Sequence, residues 1–416
     1  MVTGVAPWSP LGYHGKRASR LPDGEKKPWG GVFTGGILMK ITDVEAYLCH
    51  FPLAEPFHPS WIPGLPSYNN SAVILRLLTD EGIEGACAGV AFAAEWKGFP
   101  ELIRLFLVGR DPFQVEDFLQ VLRSAKVIGF RAWFVEVALW DIIGKAAGQP
   151  VYRLLGGSRD RVKAYASTGE LRDPETRAHD ALRMVEEGFR AIKLRIRNED
   201  VRRDLAVVEA VRIAVGDDVE IMVDANQAWL IHGFGPYPKW DLKRAIAVAR
   251  ELERLGVSWL EEPLRMRDYE GLAILRRATS VPISGGELND DLDDFRELIN
   301  RGCYDIIQPD VTFAGGILTG RKIAAMAEAA NVVYNPHTWT NGLGLAANLQ
   351  LMGAIPNCTH CEFPYDPPGW TPEGRDAMLT EPITIDADGY VAVPSSPGLG
   401  VEVDWERVRA HGERIT

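Results

Sequence analysis

Apolar and polar residues begin to alternate at Met39, in "MKITDVEAYLCHFPL", the period-two pattern of a half-buried strand. A second such stretch, "SAVILRLLTDEG" (71–82), ends in a turn signal and leads into "IEGACAGVAF", which predicts an antiparallel sheet. Helical periodicity follows at 100–124 and again at 131–150, so residues 39–158 read as an α+β unit. From about residue 160 the period switches repeatedly between two and 3.6. Strand-like starts fall near 162, 191, 220, 258, 281, 304, 331 and 359, with spacings of 23 to 38 residues, each long enough for one strand and one helix. Eight such starts predict a closed parallel barrel over 159–382, whose chemistry sits where the strands run into their following loops.

After the eighth strand, "PYDPPGWTPEG" is too rich in Pro and Gly for a last outer helix. The C-terminal stretch 383–416, which opens on the hairpin-like "ITIDADGYVAV", is expected to return to the first unit and complete it. The longest spacing contains an insertion, "LIHGFGPYPKWD" (230–241). Residues 1–38, with eight glycines and four prolines and no periodicity, form an N-terminal extension with no face to bury.

Composition narrows the function classes. The chain has 416 residues, 46% hydrophobic and 25% charged, and a formal net charge of -12. That balance argues against nucleic acid or an anionic membrane as a partner, while leaving room for a local cationic pocket for a small anion. No apolar run reaches the length of a membrane span and the N-terminus carries no signal-peptide core, so a cytoplasmic enzyme is expected. Five scattered cysteines do not form a secreted disulfide framework, and "CTHC" (358–361) has no second pair to complete a zinc site.

The candidate chemistry lies at the strand ends. "GFRAIKLRIR" (188–197) reads as a short strand, and alternation puts Lys193 and Arg195 on one face, where a core residue would be expected. Three consecutive strands end in "IMVDAN", "WLEEP" and "PISGGE", bringing Asp224, Glu261 and Glu287 to one rim. Three converging carboxylates repel one another unless a divalent cation neutralises them, and all-oxygen ligands favour Mg²⁺, with Mn²⁺ as a substitute. The next strands close with "IIQPD" and "VVYNPH", where Asp310 can fix the tautomer of His337 and raise its basicity as a general base. Strand eight adds Glu362 in "HCEFP", placed to hydrogen-bond a substrate or intermediate oxygen.

With these motifs in order, "KLR", "VDAN", "EEP", "GGE", "QPD", "NPH" and "EFP", the chain resembles the enolase superfamily in its mandelate racemase subgroup. "ALWDIIGKAAGQPVYRLLGG" (138–157) is also similar to the family's stretch leading into the barrel. The resemblance runs from about residue 40 to the C-terminus. It implies an α+β capping domain over a modified (β/α)7β barrel, and Mg²⁺ held by Asp224, Glu261 and Glu287. It also implies abstraction of the proton α to a carboxylate, and a homo-oligomer. Loops of the capping domain, residues 50–70 with His58, Trp61 and Tyr68 and the segment near 91–97, are then candidate substrate contacts, as is Asn226.

One departure from the family pattern matters. Where many relatives have Lys-x-Lys and use the second lysine as a base, this chain has Lys193-x-Arg195. An arginine stays protonated, so Arg195 is a poor base and better suited to holding a carboxylate or stabilising an enediolate, or to a packed ion pair under the metal site. Lys193 could titrate if its neighbour depresses it. Racemisation needs a base on each face of the α-carbon and only His337–Asp310 is evident, so the expected activity is a sugar-acid dehydratase giving a 2-keto-3-deoxy acid. Racemase, epimerase or lactone cycloisomerase activity is the alternative, and a non-catalytic metal- or anion-binding barrel the third reading.

Overall fold

The computed structural model describes residues 39–90, 98–127, 129–229 and 238–415. The extension 1–38, the segment 91–97 and residues 230–237 of the insertion lie outside the described residues. The alternating stretches form β1 (Ile41–Phe57), β2 (Ser67–Thr79) and β3 (Glu84–Val90), an antiparallel meander. The helical region expected over 100–124 is two helices, α1 (Phe99–Leu107) and α2 (Val115–Val127). Gly109, at φ +83°, and Pro112 interrupt it, because a left-handed residue and a missing N–H both end a helix. Next comes α3 (Phe134–Ala147), buried almost all round because it lies between the sheet and the barrel's outer helices. β3 admits it closely through two glycines: a Cβ on Gly85 would run into the Ala138 carbonyl, and one on Gly89 into the Phe134 ring at 2.6 Å.

The second sheet begins after the short α4 (Val151–Leu154) with β4 (Arg161–Ser167) and α5 (Pro174–Glu186). It continues with β5 (Ala191–Arg195), α6 (Val201–Val215), β6 (Glu220–Asp224), α7 (Leu242–Arg254), β7 (Trp259–Glu261) and α8 (Tyr269–Ala278). Then come β8 (Ile283–Gly285), α9 (Asp291–Asn300), β9 (Ile306–Ile307), α10 (Gly316–Ala329), β10 (Val333–Tyr334), α11 (Gly342–Ala354) and β11 (His360–Pro364). The strands are parallel in the order β10-β9-β8-β7-β6-β5-β4-β11, and each starts within two residues of its expected position. The helices start where they do because Asp173, Asp200, Asp241, Asp268 and Asn341 cap their first N–H groups.

The barrel's last seam is carried by individual bonds, since β10 is only two residues long. Tyr334 N–H donates to Asn357 C=O at 2.9 Å, and the Asn335 side-chain oxygen accepts from the N–H groups of Thr359 and His360. Where an eighth outer helix would stand there is only α12 (Pro372–Arg375). β12 (Tyr390–Ala392) then runs antiparallel to β4, and α13 (Trp405–His411) leads to β13 (Gly412–Arg414), which pairs with β1. The fold is thus a (β/α)7β barrel beside an α+β sheet whose outer strand comes from the C-terminus.

Inside the barrel, Tyr165, Ala191, Met222, Trp259 and Ile306 form an apolar layer. Two residues further along the same strands the inward positions become Ser167, Lys193, Asp224 and Glu261. The strands' period of two therefore stacks a charged layer directly on the apolar floor, at the C-terminal rim.

Candidate active site and metal centre

Register places the charged layer in contact. Arg195 lies beside Asp224, and Asp224 beside Glu261, on adjacent strands. Glu287 follows two residues beyond β8, while Asp310 and His337 each stand three beyond β9 and β10. All of these side chains are buried.

The two cations of β5 are paired with carboxylates. Lys193 Nζ donates to Glu261 at 2.7 Å and to Glu362 at 2.6 Å, with Asp224 at 3.7 Å. Burial alone would lower its pKa, but Glu261 and Glu362 hold it above the ordinary lysine value. The expectation of a depressed, titrating Lys193 is therefore corrected: the adjacent Arg195 is outweighed by the acids that face it. Arg195 pairs directly with Asp224 and donates from Nε to Thr168 C=O at 2.6 Å. Its guanidinium lies against Trp61 and Trp339, at 5.0 and 5.8 Å from the ring centroids. This is the packed ion pair, covered by an aromatic cluster.

Glu362 is likewise engaged, accepting from Ser167 Oγ at 2.7 Å, Lys193, and Thr338 N–H at 2.7 Å. Burial is overcome by Lys193 and His337, which bring its pKa down to about 2. Asp224 behaves differently: burial, with Glu261 and Glu287 adding, pushes it up to about 8 against Arg195 and Lys193. Asn226, in a left-handed conformation at φ 43°, folds back on Asp224 through its N–H (2.7 Å) and side-chain amide (3.1 Å). Glu287 accepts from Trp229 Nε1 at 2.8 Å.

His337 forms the expected pair. Its Nδ1 lies 3.1 Å from Asp310 Oδ2, and its Nε2 faces Glu287 Oε2 at 3.7 Å. Asp310 is held by Thr312 N–H and Oγ1 and by the Asn348 amide, so the imidazole's orientation is fixed from behind. Burial disfavours the imidazolium, but Glu287, Asp310 and Glu362 together raise its pKa to about 9.

Of the capping-loop candidates, Trp61 reaches the site, where it meets Phe57 at a tilt and Trp339 edge-on. His58 is exposed and meets the barrel through its backbone N–H, which donates to Glu170 at 2.7 Å. Tyr68 stands 62% exposed on β2. Among the described residues, no hydrogen bond or ring contact joins the side chain of either to the carboxylates. The same loop supplies residues that the alternation and motifs did not single out: Ser60 binds Gly169 C=O through its N–H at 2.8 Å, and its own carbonyl accepts from Arg197. Arg197 extends the Lys-x-Arg alternation by one step and could have been read from it.

Glu262 was also missed, although "EEP" contains it. It is 1% exposed, and neither carboxylate oxygen has a hydrogen-bond partner among the described residues. Burial, with Glu287, Asp224 and Glu261 adding, pushes its pKa well above the usual carboxylate range.

No three His, Cys, Asp or Glu side chains among the described residues converge into a ready-made metal cage, because Lys193 and Arg195 stand on Glu261 and Asp224. The donor chemistry nevertheless fits a hard divalent cation. Five buried carboxylates (Asp224, Glu261, Glu262, Glu287, Glu362) confront two fixed cations, the donors are all oxygen, and one carboxylate is orphaned. Asp224, Glu261 and Glu287 are the residues that would hold it.

A capped parallel barrel with an acid-rich rim and a His–Asp pair defines an enolase-type fold. The profile "Enolase C-terminal domain-like" matches residues 176–408, and "Mandelate racemase / muconate lactonizing enzyme, N-terminal domain" matches 50–156. The chain belongs to the mandelate racemase and muconate lactonizing enzyme family of the enolase superfamily. It is 32% identical to a D-galactarolactone cycloisomerase of Agrobacterium fabrum, covering 88% of this chain and 97% of that one. It is 30% identical to an arabinonate dehydratase of Saccharolobus solfataricus, covering 87% and 96%. An L-talarate dehydratase from Polaromonas sp. JS666, solved with Mg and L-glucarate, superimposes with a TM-score of 0.77 at 30% identity, covering 90% of this chain and 98% of that one.

Proposed function

We propose that the protein is a Mg²⁺-dependent sugar-acid dehydratase, acting on an aldonate or aldarate, with Mn²⁺ able to replace Mg²⁺. The observation that carries this reading is the asymmetry of the rim. Among the described residues, His337 presents a ring nitrogen, Nε2, with no hydrogen bond, whereas Lys193 is bound by two carboxylates and Arg195 is paired with Asp224. The described rim thus offers one base rather than the two that racemisation requires.

In this reading Asp224, Glu261 and Glu287 would hold a divalent cation, whose positive charge at the substrate carboxylate would acidify the α-proton. With positive charge held on Glu287, the acid that most favours the imidazolium would be offset. Neutral His337 Nε2 takes that proton while Asp310 stabilises the imidazolium formed, and the substrate's C–H electrons move into an enediolate. The enediolate collapses, the bond from C3 to its hydroxyl breaks, and the imidazolium returns its proton to the leaving oxygen, which departs as water. The enol then tautomerises to the 2-keto-3-deoxy acid. Dehydratases among the relatives support this chemistry. Lactone cycloisomerisation is the second reading: it too needs only one base, and a cycloisomerase is among the relatives.

The test is incubation with Mg²⁺ and a panel of aldonates, aldarates and their lactones in deuterated water, followed by proton NMR and mass. Loss of one water with appearance of a keto acid supports the dehydratase. A deuterated C2 epimer would replace that reading with a racemase, and a rearranged lactone of unchanged formula with the cycloisomerase. No exchange in any substrate would point to a non-catalytic barrel.

A further inference from the structure

The loop that leaves β8 with Glu287 reaches α9 through Asp290 and Asp291, and both acids are met by the capping domain. Asp290, 7% exposed, accepts from Trp133 Nε1 at 2.9 Å and pairs with Lys126 Nζ at 2.9 Å and Arg131 Nε at 3.1 Å. Arg131 also donates to Leu288 C=O at 3.2 Å, in the same loop. Arg123 grips Asp291 as a two-point fork, Nε to Oδ2 at 2.9 Å and Nη2 to Oδ1 at 3.1 Å, the geometry that makes an arginine–carboxylate pair directional as well as strong. Arg123 and Lys126 lie on α2, and Arg131 and Trp133 just before α3. Asp290 stands at the N-cap position of α9 but makes no side-chain cap bond, so helix capping does not account for it.

The second acid carries the clamp to a neighbouring loop. Asp291 is in the left-handed region at φ 63°, which a non-glycine residue keeps only where its surroundings impose it. Its N–H donates to Ala314 C=O at 3.0 Å, in the loop after β9. Ala314 and Phe313 both donate their N–H groups to Asp310 C=O, at 2.7 and 2.9 Å, and the Phe313 ring lies 5.9 Å from the His337 imidazole. The capping domain therefore holds the loop of Glu287 three residues from that side chain, and through one backbone bond it holds the turn that opens at Asp310.

We propose that Asp290 and Asp291 are positioning residues of the active site. Through them Arg123, Lys126, Arg131 and Trp133 fix the loops after β8 and β9 against each other, and so set Glu287 relative to the Asp310–His337 pair, where Glu287 Oε2 stands 3.7 Å from His337 Nε2. The role deepens the reading of this rim as a metal-dependent dehydratase and rests on it.

The experiment compares wild type with Asp290→Asn, Arg123→Gln and Glu116→Gln, the last breaking the ion pair by which α2 meets Lys322 of α10 away from both loops. Hydrogen–deuterium exchange in EDTA reads the loops without metal or turnover, calorimetric titration with Mn²⁺ reads the metal centre, and kcat and KM at saturating Mg²⁺ read the chemistry. In Asp290→Asn and Arg123→Gln, exchange should quicken about tenfold or more in peptides covering 286–292 and 310–316 and stay as in wild type elsewhere in the barrel. The Mn²⁺ Kd should rise about tenfold and kcat fall about tenfold, with KM within about threefold, the scale found when groups that orient metal ligands are removed. Glu116→Gln should match wild type in every measurement. Faster exchange in both loops with Kd and kcat unchanged would overturn the positioning role, since the clamp would then only fasten the two domains together. Faster exchange throughout the barrel would overturn it too, by assigning the acids to global stability, as would a Glu116→Gln that behaves like Asp290→Asn. Unchanged exchange in both clamp variants overturns it outright. Wild type that binds no Mn²⁺ would overturn the metal reading and this role with it, an outcome distinct from a failure of the variants alone.

Discussion

Arg195 shows what the alternation of one strand can and cannot reveal. That it faces inward beside Lys193 follows from a period of two; that it is spent on Asp224 and two tryptophan faces depends on β6, the loop after β10 and the capping loop, which no local pattern joins. Arg195→Lys keeps the charge but loses the planar fork and the stacking, so turnover should fall roughly tenfold or more without a new ionisation in the pH–rate profile. A lysine that works as well as arginine, with deuterium entering from its face, would make position 195 a base. His337→Asn keeps the hydrogen bond to Asp310 but removes the basic nitrogen, and turnover should drop at least roughly a hundredfold. A near-normal rate would exclude His337 as the base. The metal prediction belongs with these residues: excess EDTA should abolish activity and Mg²⁺ restore it. Glu261→Gln or Glu287→Gln should weaken Mn²⁺ binding because each removes a charged oxygen. Full activity in excess chelator would be incompatible with the proposed chemistry.

At the scale of elements, the barrel strands were readable because each is a short apolar run bounded by turn signals, and the polar residue ending each run was readable as its rim position. The seam at Asn335 and the split of α1 from α2 were not, since one depends on a side chain closing a gap between strands and the other on a left-handed Gly109 followed by Pro112 within an otherwise helical period. Glu136 on α3 was also invisible in sequence, where it is one acid in an apolar helix. In the structure it caps α10, accepting from Ile317 N–H at 2.7 Å and Leu318 N–H at 3.0 Å, with Trp140 Nε1 also donating. Burial nevertheless pushes its pKa up to about 7. A carboxyl with a raised pKa in the folded state binds its proton more tightly there than in the unfolded chain. Its contribution to stability is thus greatest at acid pH and declines as pH rises from about 4.5 towards 7, by up to about 3 kcal/mol. Urea midpoints across that window should show wild type losing stability with pH relative to Glu136→Gln, which cannot ionise. Parallel curves for the two proteins would mean that Glu136 keeps an ordinary pKa.

At the scale of the whole molecule, residues Met39–Thr416 form one compact unit, and the chain's end closes it onto its beginning. β13 pairs Gly412 with Cys49, Glu413 with Leu48 and Arg414 with Tyr47, and Ile415 N–H donates to Ala46 C=O at 2.9 Å. α13 lays Val408 into the core, and Trp405 packs against Tyr47 under the Arg76 guanidinium. β1 runs from this clasp into Phe57, which stacks on Trp339 in the aromatic cluster that covers Arg195, so the C-terminus supports the strand that carries the capping loop. Deleting residues 405–416 should destabilise the protein by at least about 2 kcal/mol, the scale of one buried aliphatic side chain. It should also raise KM more than it lowers kcat if the capping loop contacts the substrate as proposed, because that loop is displaced while His337 and Asp310 are not. Cys49 provides the structural readout. All five cysteines are buried free thiols, and burial alone pushes Cys49 up to about 12, so none should react quickly with Ellman's reagent in the intact protein. In the truncated protein one thiol, Cys49, should become reactive, because Gly412 and the Val408 carbonyl that cover it are gone. Reaction of all five would signify global unfolding, and reaction of none would show that β1 keeps its cover without the C-terminal clasp.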